Sequence, residues 1–134
     1  MKIPKEALIA VADGEKLVLY RNSGDEQHPK LTVLPEVEVS AANKGSGGRH
    51  QSSSANPSDS QQDEDGFAAG VAEYLNARAV AGTIEHIVVI AAPRTLGELR
   101  HHYHKALEQK LVGEISKDLT GHAIRDIENV IAAA

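Results

Sequence analysis

Between Gly45 and Gln51 the chain reads Gly-Ser-Gly-Gly-Arg-His-Gln, the short run whose residue types come closest to chemistry. Adjacent glycines let a backbone approach a phosphate or an ester closely, and the fork of donors on Arg49 matches a phosphate. Gly45, Gly47, Gly48, Arg49, His50 and Gln51 are therefore the candidate binding loop. A flexible Gly/Ser linker has the same composition and is the bland alternative. A Walker loop is excluded, because the GK[ST] ending is missing and no strand runs directly into a helix around the glycines.

Three other constellations invite a catalytic or metal reading. His101, His102 and His104 fall close together, yet ligands on one helical face want i and i+4 spacing, and here His101 meets Lys105 while His104 meets Glu108. A solvated helix flank, able to respond to mild acid, describes them better than a metal site. Asp13 stands where a metal-dependent nuclease would place a first carboxylate, but two-metal chemistry needs several carboxylates converging, and Ile90-Ala91-Ala92-Pro93-Arg94 supplies none. Asp13 is read as a turn residue. The serines cluster in the Gly/Ser-rich region, which offers no fixed oxyanion donors, so no Ser-His-Asp assignment stands. No metal and no cofactor are implied.

The elements that must position such a loop follow from periodicity. Ala7–Ala12 is a buried-strand candidate, Asp13-Gly14 a tight turn, and Lys16–Arg21 its antiparallel partner. From 31 to 39 the residues alternate, with Val33, Pro35, Val37 and Val39 on one face, and Pro35, which cannot donate to a ladder, places this third strand at a sheet edge or breaks it there. Residues 40 to 65 contain no Val, Ile, Leu, Phe or Tyr. Ordering each residue costs ~1–2 kcal/mol with no apolar area to offset it, so a mobile loop is expected at about 40–65. Long structureless loops in compact domains are uncommon and often functional. Helical spacing returns at Phe67, Val71, Tyr74 and Leu75, and Gly82 stops it. Ile87–Ile90 reads as a strand covered on both faces, followed by a helix capped by Thr95 and Glu98 that carries Leu96, Leu99, Tyr103, Ala106 and Leu107. Arg94 and Arg100 on that helix are a candidate secondary basic surface. Val112–Leu119 is a last short strand, and residues 122–134 a closing helix with Ile124, Ile127 and Ile131 on one side. An antiparallel three-strand meander followed by parallel crossovers is the ribonuclease-H-like type of mixed α/β sheet, with the first strand paired to the fourth.

Composition bounds the function. At 134 residues the chain suits one domain, 1–134. It has no cysteine, which removes disulfides, thiolate metal sites and cysteine nucleophiles and fits a reducing cytoplasm. No signal peptide is evident, and no segment approaches the ~20 apolar residues that span a bilayer, so a soluble protein is expected. A net charge of −5 argues against a general nucleic-acid coat, and one Phe, three Tyr and no Trp cannot build a base-stacking platform.

The whole chain resembles the bacterial "protein required for attachment to host cells" family, also described as bacterial and archaeal release-factor-like domains. The resemblance rests on Val11-Ala12-Asp13-Gly14, Leu19-Tyr20-Arg21-Asn22, Gly47-Gly48-Arg49, Phe67-Ala68, Ala92 through Arg100, and Lys117-Asp118-Leu119-Thr120. That family looks like the middle domain of class I release factors and of Pelota, whose Gly-Gly-Gln loop enters the peptidyl transferase centre and helps water cleave the peptidyl-tRNA ester. Here Arg49 stands in place of the glutamine and Gln51 comes two residues late. An arginine binds phosphate but has no side-chain amide to place a water. The resemblance therefore implies a cytoplasmic, non-enzymatic module with the ribosome or tRNA as partner of the loop. A protein partner connected with attachment and a peptidyl-tRNA hydrolase are the alternatives.

Overall fold

A strand rich in β-branched residues with no polar side chain must be covered on both faces, and two such strands form the centre of this protein. In the computed structural model, which describes residues 1–39 and 59–134, β1 (Leu8–Ala12) and β4 (Ile87–Ala91) are buried at every position and pair in parallel, from Leu8↔Ile87 to Ala12↔Ala91. β2 (Leu17–Asn22) returns antiparallel to β1, β3 (Leu31–Val33) pairs antiparallel to β2, and β5 (Leu111–Ser116) runs parallel to β4. The order β3-β2-β1-β4-β5 is the ribonuclease-H-like mixed sheet, with the first strand against the fourth and β3 at an edge, stopping short of Pro35.

Helices α1 (Asp59–Val80), α2 (Pro93–Arg100) and α3 (Lys105–Glu108) cover one face. There Val71, Leu75, Leu96, Leu99 and Leu107 meet Ala10, Leu19, Ile87 and Val89. The other face holds Ile9, Val11, Val88 and Ile90 against Ile3 and the Ile127 and Ile131 of α4 (Ile124–Ala133). Ile124, expected on that side, sits half-exposed at the first turn of α4. α4 also reaches the sheet edge, where Glu128 Oε2 accepts the Leu31 N–H at 2.8 Å.

Apart from shifts of a residue or two, four elements differ from the sequence expectation. α1 begins at Asp59, so residues 59–65, expected in the loop, are helical. Apolar periodicity misses these turns because they hold no apolar side chain and Gln61–Glu64 are exposed. Acidic residues near a helix start and good helix formers such as Gln61 and Gln62 are what favour them. The other end is as expected: Gly82, at φ 82°, donates to Ala79 O at 3.1 Å while Thr83 N–H reaches Arg78 O at 3.0 Å.

The second difference is the expected helix over 95–110, which is two helices. α2 starts with Pro93 at its first position, where a missing N–H costs nothing, and not at a Thr95/Glu98 box. It ends at Arg100 because Asn76 of α1 holds the following turn, donating to His102 O and accepting from His104 N–H, both at 2.8 Å.

β3 stops at Val33, and Leu34, Val37 and Val39 pack toward α1 while Val33 is 55% exposed. The Leu34 N–H still reaches Leu19 O at 2.8 Å, but with no ladder beyond it no pleat enforces the alternation read from 33 to 39. Finally, β5 ends at Ser116, three residues before the expected Leu119, which instead packs beneath α4.

Among the described residues Asn22 is the buried polar one. Its Oδ1 accepts from Gly24 N–H and Lys30 N–H at 3.0 Å, and its Nδ2 donates among Ile3 O, Pro4 O and Asp25 O at 3.1 to 3.3 Å. One side chain thus ties the N-terminal segment to the turn between β2 and β3. Asn22→Leu, similar in shape, strands these backbone groups and should lower stability by about 3 kcal/mol, read as a fall in the urea midpoint.

Candidate functional site

Because β1, β4 and β5 are parallel, their carboxyl ends share one edge, the place where open α/β sheets bind ligands. β1 leads into Asp13-Gly14, β4 into Ala92-Pro93-Arg94, and β5 into Lys117-Asp118-Leu119-Thr120. α1 brings its front to the same edge. At ~1.5 Å per residue its 22 residues span about 33 Å, against about 17 Å for a five-residue strand, so its first turns overhang the sheet.

Contacts between side chains brace that overhang. Arg94 Nη2 lies 3.4 Å from Asp65 Oδ1 and Oδ2. A Cβ on Gly14 would stand 2.6 Å from Glu64 Cγ, so the glycine is what lets the front of α1 rest against the β1–β2 turn.

Asp13 is a turn residue, as its position after β1 suggests, and also a cross-link. Its Oδ1 accepts from the amides of Glu15 and Lys16 at 2.7 and 2.6 Å, closing the turn. Its Oδ2 accepts from Thr120 Oγ1 at 2.9 Å, joining the turn to the loop before α4. Thr120 Oγ1 also lies 2.7 Å from Asp118 Oδ1, so the two carboxylates compete for one hydroxyl proton. Partial burial pushes the Asp13 carboxyl up, but the Glu15 and Lys16 amides, the Thr120 hydroxyl and the Lys16 charge together outweigh it and hold its pKa below the usual carboxylate range.

Arg94 and Arg100 stand at opposite ends of α2, each against its own carboxylate. Arg100 places Nε and Nη2 at 2.9 and 2.6 Å from Glu114 Oε1, and Tyr103 donates to Glu114 Oε2 at 3.1 Å. Burial, then the Glu114 charge, pushes the Tyr103 phenol well up. The Arg100 fork is committed to β5. His101 and His102 approach Glu98 at 3.8 and 3.2 Å, and His104 caps α3. Among the described residues no group of three or more His, Asp or Glu side chains is placed to hold a metal ion. Gly45, Gly47, Gly48, Arg49, His50 and Gln51 lie in the segment 40–58, outside the described residues.

Sequence reasoning missed Thr120, Asn76, Glu64 and Glu114. Thr120 belongs to the run Lys117–Thr120, but its partner is 107 positions away and no local pattern announces it.

A mixed sheet of this order, with a braced helix front at its carboxyl edge, defines a ribonuclease-H-like α/β domain. The model of the bacterial archaeo-eukaryotic release factor family 12 matches residues 6–131, and the chain belongs to that family. No curated protein matches it. No helix among the described residues is long and apolar enough to cross a membrane.

The lowered pKa of Asp13 predicts the form of the acid limb. Its contribution to stability is complete above the unfolded value of about 3.9 and is lost as pH falls through the lower native value. The stability gap between wild type and Asp13→Asn, measured by urea unfolding, should be level from about pH 7 to about pH 5 and close below about pH 4.

Proposed function

We propose that this protein is a non-enzymatic, release-factor-like binding module of translation, cytoplasmic, that docks Gly45–Gln51 on RNA or the ribosome. The observation that carries the reading is membership of a release factor family together with the place of Gly47-Gly48-Arg49 in the chain, between β3 and α1. The chain enters α1 where that helix overhangs the carboxyl edge, so the segment is attached to a base braced by Arg94–Asp65 and by Glu64 against Gly14. Residues 40–58 carry Lys44 and Arg49 and no carboxylate, in a chain whose net charge is −5. An acidic body repels phosphates, so the contact with RNA falls to the tip and is weakened by salt.

Replacing the glutamine of Gly-Gly-Gln by Arg49 exchanges an amide that places water for a cation that holds phosphate, which favours binding over ester hydrolysis. Arg49→Ala should weaken co-sedimentation of the purified protein with ribosomes about tenfold at low salt, with a smaller effect at high salt. Absence of co-sedimentation of the wild type at low salt would transfer the assignment to a protein–protein interaction factor connected with host attachment. Release of labelled peptide from peptidyl-tRNA would assign hydrolysis instead.

A further inference from the structure

The corner between α2 and α3 carries three imidazoles whose contacts call for opposite protonation states. His104, extended at φ −81° and ψ 152°, is the N-cap of α3, and its Nδ1 accepts the Ala106 N–H at 2.9 Å. That bond places the ring proton on Nε2. A protonated Nδ1 is a donor and cannot accept, and a positive ring at the front of a helical turn, next to Lys105, opposes the peptide dipoles as well. At the other side of the corner His102 Nε2 lies 3.2 Å from Glu98 Oε2, and His101 Nδ1 lies 3.8 Å from Glu98 Oε1. A proton there converts polar contacts into ion pairs, at the end of α2 where positive charge is favoured.

The corner is not a free flap. Asn76 holds its backbone at His102 O and His104 N–H, and Leu107 behind the cap is fully buried. Charged or titratable groups on the neighbouring turns are Glu73 and Arg78 on α1, Glu98 and Arg100 on α2, Tyr103 in the corner itself, Glu114 on β5, and Lys105 and Glu108 on α3. Among the described residues only Glu98 brings a carboxylate within 4.0 Å of an imidazole of this corner.

We propose that the α2–α3 corner is a proton-responsive joint, in which acid releases the His104 cap of α3 and at the same time tightens the end of α2 through His101, His102 and Glu98. The two halves respond in opposite directions, with Asn76 as the fixed point between them.

Amide hydrogen exchange of the full chain at about pH 7.5 and about pH 5, corrected for intrinsic rates and resolved by residue, tests this. The Ala106 amide should lose protection about tenfold at the lower pH relative to the amides of β1 and β4. The His102 amide, bonded to Leu99 O at 3.0 Å, should gain protection. In His104→Asp, or in His104→Asn should the first variant fold poorly, the cap accepts at both pH values and the Ala106 loss should vanish. His102→Gln should remove the gain at residue 102 and leave the Ala106 response in place. An unchanged Ala106 amide in the wild type, or a loss of equal size in both His104 variants, overturns the proposal. So does a uniform loss across the sheet, which would report global destabilisation.

Discussion

The pairing of β1 with β4 is the constraint from which the rest follows. Ten residues, Leu8–Ala12 and Ile87–Ala91, lie side by side in parallel without a polar side chain, and water reaches neither face. Such a pair is stable only when helices cover both sides. Parallel strands also demand a long crossover, and α1 is that crossover. Its direction is thereby set: it runs back along the sheet, so its front and the segment that enters it stand at the carboxyl ends of the strands.

At that edge the chain spends its polar side chains on bracing. Asp13 closes a turn with one oxygen and reaches Thr120 with the other, Arg94 reaches Asp65, and Gly14 leaves room for Glu64. Loops of β1, β4 and β5 and the front of α1 are thus joined through side chains. The charge at the edge fits the same pattern, since Arg94 there already faces the Asp65 carboxylate.

The α2–α3 corner shows how tertiary contact overrides local helical preference. Leu96, Leu99, Tyr103, Ala106 and Leu107 keep a spacing that one continuous helix would satisfy. Asn76, from a different helix, supplies both a donor and an acceptor to the chain at His102 and His104, and the helix breaks there. Leu107 is then turned into the core, and His104 becomes a cap where a continuous helix would have left it as surface. Imidazole spacing, which argues against a metal, carries no hint of this role.

Hydrophobic pattern and turn residues determined the central strands, the hairpin at Asp13-Gly14, the edge place of the third strand, the glycine stop at Gly82 and the mixed-sheet class, because burial and backbone geometry write themselves locally as period and punctuation. The order of motifs along the chain was likewise enough to point to a release factor family. Tertiary structure alone decided that Asp13 meets Thr120, that Arg100 is spent on Glu114, that Asn76 breaks a helix, and that α1 starts at Asp59 beyond any apolar signal. These are polar contacts between residues far apart in the chain or helical turns that hold no apolar side chain. Neither leaves a repeat in the sequence, since a hydrogen bond needs only two atoms at the right distance and the fold, not the neighbouring residues, puts them there.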